Sequence, residues 1–159
     1  MKPLRAALAL LGLLGSTGLA FSCKELETAQ KKLKSSPFTL YREATLYVDD
    51  TVAYREASRL DFKNGKVQVK TLKKEESKTA SVKYNPDSPL PEFSCASFVQ
   101  DSKRILNTEG IKELEGGKRE IEFALKEGRL FPAQVIESGK VGILFFKKNI
   151  RFEVKYRQD

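Results

Sequence analysis

Hydrophobic and polar residues change their spacing along the chain, and each change marks an element. Residues 24–35 place Leu26, Ala29 and Leu33 at helical spacing with charge elsewhere, which predicts a short amphipathic helix. Glu25 and Glu27 near its start and Lys31, Lys32 and Lys34 near its end suit the helix dipole, and Pro37 stops it. From Phe38 the period is two. Phe38, Leu40, Ala44, Leu46 and Val48 share one strand face, and beyond a turn at Asp49-Asp50-Thr51 the residues Val52, Tyr54, Leu60 and Phe62 continue it. Asn64-Gly65 predicts a type I′ hairpin, which needs positive φ at both positions; it sets Phe62 opposite Val67 and Leu60 opposite Val69. Lys73 to Lys78 reads as a charged turn, and Ala80, Val82 and Tyr84 as a fourth strand.

Residues 85–92, NPDSPLPE, read as loop because of their three prolines. Phe93 to Val99 predicts a fifth strand carrying Cys95, while residues 101–118 show no readable period. The C-terminal part predicts a meander with turns at Glu127-Gly128, Ser138-Gly139 and Lys148-Asn149. Those turns set Ile136 opposite Val141 and Phe145 opposite Phe152. Ile121, Phe123, Leu130, Pro132, Ile143 and Phe145 then share one inward face with Val154 and Tyr156. The opposite face carries Phe131, Ala133, Val135, Leu144 and Phe146, so both sides of the meander call for cover. The cover is either the helix or a loop, or else a hydrophobic ligand or partner, for which Phe131, Leu144 and Phe146 are the candidate face. The fold class expected is α+β, mainly β: a curved antiparallel sheet, or incomplete barrel, of eight or nine strands with one N-terminal helix.

The first 22 residues have the form of a secretory leader. Lys2 and Arg5 are followed by the apolar stretch Ala6 to Leu14, and Ala20-Phe21-Ser22 suits cleavage before Cys23. Gly, Ser and Thr dilute the run, which disfavours a spanning helix. The expected organisation is a signal peptide over 1–22 and a single domain over 23–159, exported to the bacterial periplasm or envelope or secreted. Removing the leader takes away Lys2 and Arg5 and no acid, leaving 27 basic and 21 acidic residues, a net of +6. Cys23 and Cys95 are the only thiols. Export allows a disulfide between them; the alternative is a lipidated Cys23, which leaves Cys95 unpaired.

Composition mainly removes functions. The 159 residues include no His and no Trp. That excludes His-based triads, His metal sites and a His pH switch. No Cys-x-x-Cys pair, phosphate loop or EF-hand pattern is present. Asp and Glu residues are plentiful, but nothing in their spacing selects a catalytic pair, so neither an enzyme nor a cofactor is expected. Arg42, Glu56 and Ser58 interrupt the apolar face of the first hairpin. With 42 across from 58 and 44 across from 56, Arg42 and Glu56 are diagonal neighbours. They read either as an ion pair at a solvated rim or as a polar anchor inside a cavity. The basic excess is dispersed over Lys31, Lys32, Lys34, Lys73, Lys74, Lys147, Lys148 and Arg151. Nucleic-acid binding needs a concentrated patch with stacking aromatics and is not expected; a weak contact with an anionic membrane surface is.

A resemblance rests on these features together: the leader, the short helix, the long alternating strands and the passage Val82-Lys83-Tyr84-Asn85-Pro86. Glu115-Gly116-Gly117-Lys118 then runs into the strand with Ile121, Phe123 and Leu125. In this pattern the chain resembles the periplasmic lipoprotein-carrier superfamily, which includes outer-membrane lipoprotein-sorting and sigma-regulator proteins. It departs from that pattern in lacking Trp and in the shortness of any helical lid in 101–118. The resemblance implies an incomplete barrel closed by helices around a cavity for acyl chains. Leu40, Leu46, Tyr54, Leu60, Val69 and Phe123 would then be cavity liners. The functional expectation is a non-enzymatic exported protein that binds a lipid or acyl group, the alternative being a domain that binds an envelope protein through an apolar sheet face.

Overall fold

The structure is a computed structural model that describes residues 21–35, 37–78, 90–101 and 104–158. Helix α1 spans Cys23–Leu33. Ser22 caps it: the Ser22 hydroxyl accepts from the Glu25 amide and the Glu25 carboxylate accepts from the Ser22 amide, both at 3.2 Å. Eight strands follow among the described residues: β1 Phe38–Val48, β2 Thr51–Lys63, β3 Lys66–Glu76, β4 Phe98–Asp101, β5 Arg104–Glu109, β6 Glu115–Lys126, β7 Arg129–Ile143 and β8 Phe146–Gln158. They form one open antiparallel sheet in the order β3-β2-β1-β8-β7-β6-β5-β4. The expected mainly-β antiparallel architecture, with one α-helix among the described residues, is therefore the observed one. The expected fourth strand at Ala80–Tyr84 and most of the proline-rich loop lie outside the described residues.

Leu26, Ala29 and Leu33 of α1 join Phe38, Leu40, Leu60, Phe62, Ile121, Phe123, Val135, Val154 and Tyr156 in one core. Strand pairing explains why these residues meet. Ala44 lies opposite Val154, which lies opposite Val135, which lies opposite Ile121, so one sheet face carries the apolar set across four strands. The helix packs against β7. Leu130, Phe131 and Pro132 are consecutive and all buried, so β7 is covered on both faces there, as the two-sided apolar pattern requires.

Several expectations are corrected. Asp49-Asp50 is a two-residue turn with positive φ at both positions, and the additional residue sits in a bulge beside Leu46/Tyr47. Both arrangements put Arg42 opposite Ser58, but the bulge buries Ala53 with Tyr54 and leaves Val52 exposed. Cys95 lies in a 3₁₀ turn, Cys95–Ser97, and the strand begins only at Phe98. Residues 73–76, read as turn, extend β3.

The largest correction concerns the last strands. Neither Ser138-Gly139 nor Lys148-Asn149 is a turn. β7 runs unbroken to Ile143, and the chain reverses at Leu144-Phe145, with Ile143 opposite Phe146. Gly139 serves a different need: a Cβ there would sit 2.6 Å from Leu114 Cβ, because the segment before β6 presses onto β7 at that point. A register shift between Glu122 and Phe123 also inserts one residue into β7, which puts Val135 opposite inward Ile121. Phe145 is accordingly an exposed turn residue and not part of the core.

Candidate functional site

β6 pairs with β7 only as far as Lys140, and β1 pairs with β8 only from Ile150. Residues 141–149 therefore project beyond the sheet as a two-stranded ribbon. At its end Ile143, Leu144, Phe145 and Phe146 are 79%, 77%, 97% and 87% exposed. Four consecutive large apolar side chains held in water are unusual for a folded domain and mark a contact surface. The ribbon's base is fixed. The Asp49 amide donates to the Asn149 carbonyl at 2.9 Å, and the Asn149 amide donates to Asp49 Oδ1 at 2.8 Å. Lys147 Nζ meets Glu115 Oε2 at 2.5 Å. The hydrogen bond from Lys147 and the Lys147 charge hold the Glu115 carboxyl below its ordinary range; desolvation opposes them, and the Lys140 charge adds a lesser pull in the same direction as Lys147.

The tip departs from the chemistry of three other hairpin turns among the described residues, which use Asp49-Asp50, Asn64-Gly65 and Glu127-Gly128. Those residues accept positive φ or hydrogen-bond locally. Here Leu144 takes φ +55, a region that a branched apolar side chain rarely adopts. Gly142 lies at φ +144, and a Cβ on it would fall on the Phe146 carbonyl oxygen, so glycine is required there.

The residues singled out in the sequence are distributed differently. Leu40, Leu46, Tyr54, Leu60 and Phe123 are buried and Val69 is half-buried among other side chains. Three surface depressions of 380 to 470 Å³ are formed by described residues, and none of the six lines any of them. The depression between α1 and residues 90–93 has a mixed lining: Glu27, Gln30, Lys31, Lys34 and Glu92 on one hand, and Leu33, Leu90, Pro91, Phe93 and Pro132 on the other. The candidate partner face divides: Phe131 is 1% exposed and its ring lies tilted against Phe38, 5.8 Å between ring centres, whereas Leu144 and Phe146 belong to the tip. Sequence reasoning missed the tip because it assumed alternation through residues 141–146. The available signal was the unbroken run Ile143-Leu144-Phe145-Phe146, which no antiparallel strand can bury on one face.

Arg42 and Glu56 do pair, but not at a solvated rim: the side chains are 2% and 0% exposed. Arg42 donates to Glu56 Oε1 at 3.2 Å and to Ser58 Oγ at 3.4 Å, Ser58 donates to the same Glu56 oxygen, and Tyr54 donates to Glu56 Oε2 at 2.7 Å. Each carboxylate oxygen has partners, and the four side chains form one hydrogen-bonded cluster; Glu56, but not Arg42, also edges a surface depression of about 380 Å³ together with Glu43, Thr45, Arg55, Ala57, Lys73 and Glu75. Asn107, which the sequence did not single out, is fully buried. It donates to the Ser94 carbonyl at 2.6 Å and accepts from Ser97 at 2.5 Å, fixing the turn that carries Cys95.

Cys23 and Cys95 form a disulfide with Cα atoms 5.7 Å apart, tying α1 to the turn before β4. A disulfide is consistent with an oxidising compartment. Glu27 Oε1 lies 3.0 Å from Cys95 Sγ, but both sulfurs are used by the bond, so this group offers a metal only the one carboxylate. Comparison with known proteins returned no match: no family model fits the chain, and no curated protein or solved structure matches it.

Proposed function

We propose that the protein is an exported, non-enzymatic binding domain of the bacterial envelope, and that its contact element is the apolar tip of the β7–β8 hairpin. The observation that carries this reading is the exposure of Ile143, Leu144, Phe145 and Phe146 on a ribbon rooted in the sheet. The leader-like residues 1–22 and the Cys23–Cys95 disulfide support export. Folding gains nothing from the tip's side chains, which touch little of the protein, so their chemistry serves a contact with something else.

Two variants separate contact from core. Phe146→Ser should change stability by less than about 0.5 kcal/mol, as exposed substitutions do. It should also weaken retention of the protein on its own envelope fraction. Phe131→Ala removes a buried ring and should cost about 3–5 kcal/mol in a denaturant melt. Equal destabilisation by the two, or unchanged envelope retention in Phe146→Ser, would overturn the proposal.

A further inference from the structure

The reading of the tip as a contact element leaves its partner open, and the residues around it narrow the choice. Between Glu137 and Glu153 the chain has no acidic residue and carries Lys140, Lys147, Lys148 and Arg151. Arg151 belongs to the sheet: it stacks over Tyr47 at 4.3 Å and pairs with Glu153 at 3.2 Å. Lys147 is held by Glu115. Lys140 and Lys148 remain as flanking cations outside any salt bridge among the described residues. The ribbon thus presents an apolar end above a base whose own residues are all basic or neutral and where Glu115, Asp49 and Asp50 of other elements engage Lys147, Asn149 and Arg151 but neither Lys140 nor Lys148 in a salt bridge; these cations all lie on the sheet side of the apolar four.

Resting on that reading, we propose that the tip inserts into the interfacial layer of an anionic lipid bilayer, with Lys140 and Lys148 at the headgroups. Charge complementarity with anionic lipid is the first argument. Shape is the second. The tip is convex, with apolar side chains on the turn as well as on the ribbon, so a protein partner would need a matching pocket, while a fluid acyl layer closes around any shape. Depth is the third. From the Gly142–Lys147 pair to the turn is about two residues, or roughly 7 Å of strand. Interfacial elements bury roughly 5–10 Å. Such shallow entry keeps the turn's backbone amides near headgroup water, where deeper entry would strand them. Among the described residues no helix is long and apolar enough to cross a membrane, so the contact envisaged is peripheral.

The absence of Trp from the chain makes the test direct. Intact, disulfide-bonded Phe145→Trp protein is mixed with protein-free vesicles of phosphatidylglycerol and phosphatidylethanolamine. The expected results are co-flotation with the vesicles, a blue-shifted Trp emission, and stronger quenching by bromines placed near the headgroup end of the acyl chains than by bromines near their ends. In the wild-type background, Phe145→Ser with Phe146→Ser should lower vesicle partition at least tenfold. Lys140→Gln and Lys148→Gln should each lower it about fivefold. Phosphatidylcholine vesicles should bind less, and added salt should weaken binding to the anionic ones. No flotation of the wild type and no blue shift in Phe145→Trp would overturn the bilayer assignment. If the serine variants nevertheless lose retention on the envelope fraction, the tip binds a protein and the proposed function stands. If they keep it, both readings fall.

Discussion

The cluster around Arg42 shows how much a single buried charge can demand. Its guanidinium is removed from water on the inner sheet face and is balanced by Glu56, whose carboxylate also accepts from Tyr54 and Ser58. Removing one partner of such a pair strands the other charge in a low dielectric. Glu56→Gln should therefore cost about 3–5 kcal/mol. Replacing both members, Arg42→Met with Glu56→Leu, should recover most of that loss because no uncompensated charge remains. Urea unfolding of the two variants provides the comparison. A near-neutral Glu56→Gln would mean that water reaches Arg42 after all. The alternation of β1 and β2 revealed this pair's adjacency, but not its burial, because burial depends on what lies over the face.

At the scale of elements, α1 is held at both ends. The capping box of Ser22 and Glu25 satisfies its first amides, and the Lys34 carbonyl accepts from the Gly65 amide at 3.0 Å, which joins its far end to the β2–β3 turn. Phe21, before the cap, packs against the core. Ser22→Ala should cost about 1 kcal/mol in a chain that keeps this residue. Processing between Ser22 and Cys23 would remove the cap itself, so the same substitution would then have no effect on the mature protein. Sequencing the amino terminus alongside the melt distinguishes these outcomes. The β7–β8 hairpin is the contrasting element: its inner half is core, its outer half is tied at the base to Asp49 and Glu115, and the four residues at its end are exposed.

At the scale of the molecule, the sheet is open, with β3 and β4 as edges, so closure does not hold its two ends together. β3 is exposed along nearly its whole length and carries Lys66, Lys70, Lys73 and Lys74, charges that discourage edge pairing with another chain. On the other side, the disulfide fastens α1 to the turn before β4 across a sequence separation of 72 residues. In the chain-entropy view a loop of that size contributes about 4 kcal/mol. Cys95→Ala should melt lower by up to that amount, and the native protein should show no titratable thiol. A full complement of free thiols, or an acyl mass on Cys23, would contradict the bond.

What the sequence by itself determined is what adjacent residues can encode. Alternation in β1 and β2 specified an inner face. Asn64-Gly65 and Glu127-Gly128 specified their turns through positive φ. Leu26, Ala29 and Leu33 specified the buried stripe of α1. Tertiary structure decided the rest, and in each case the cause is remote in sequence. Gly139 looked like a turn residue, but a segment more than 20 residues earlier lies against it and only glycine leaves room. The bulge opposite Glu122/Phe123 reset which residues of β7 face inward, because a one-residue slip in a period-two structure exchanges the faces. Whether Cys23 meets Cys95 depended on where a helix and a turn come to rest. Whether the apolar run at 143–146 is core or contact surface depended on where the neighbouring strands stop. Pairing with β6 ends at Lys140 and pairing with β1 begins at Ile150, so nothing in the sheet reaches far enough to cover it.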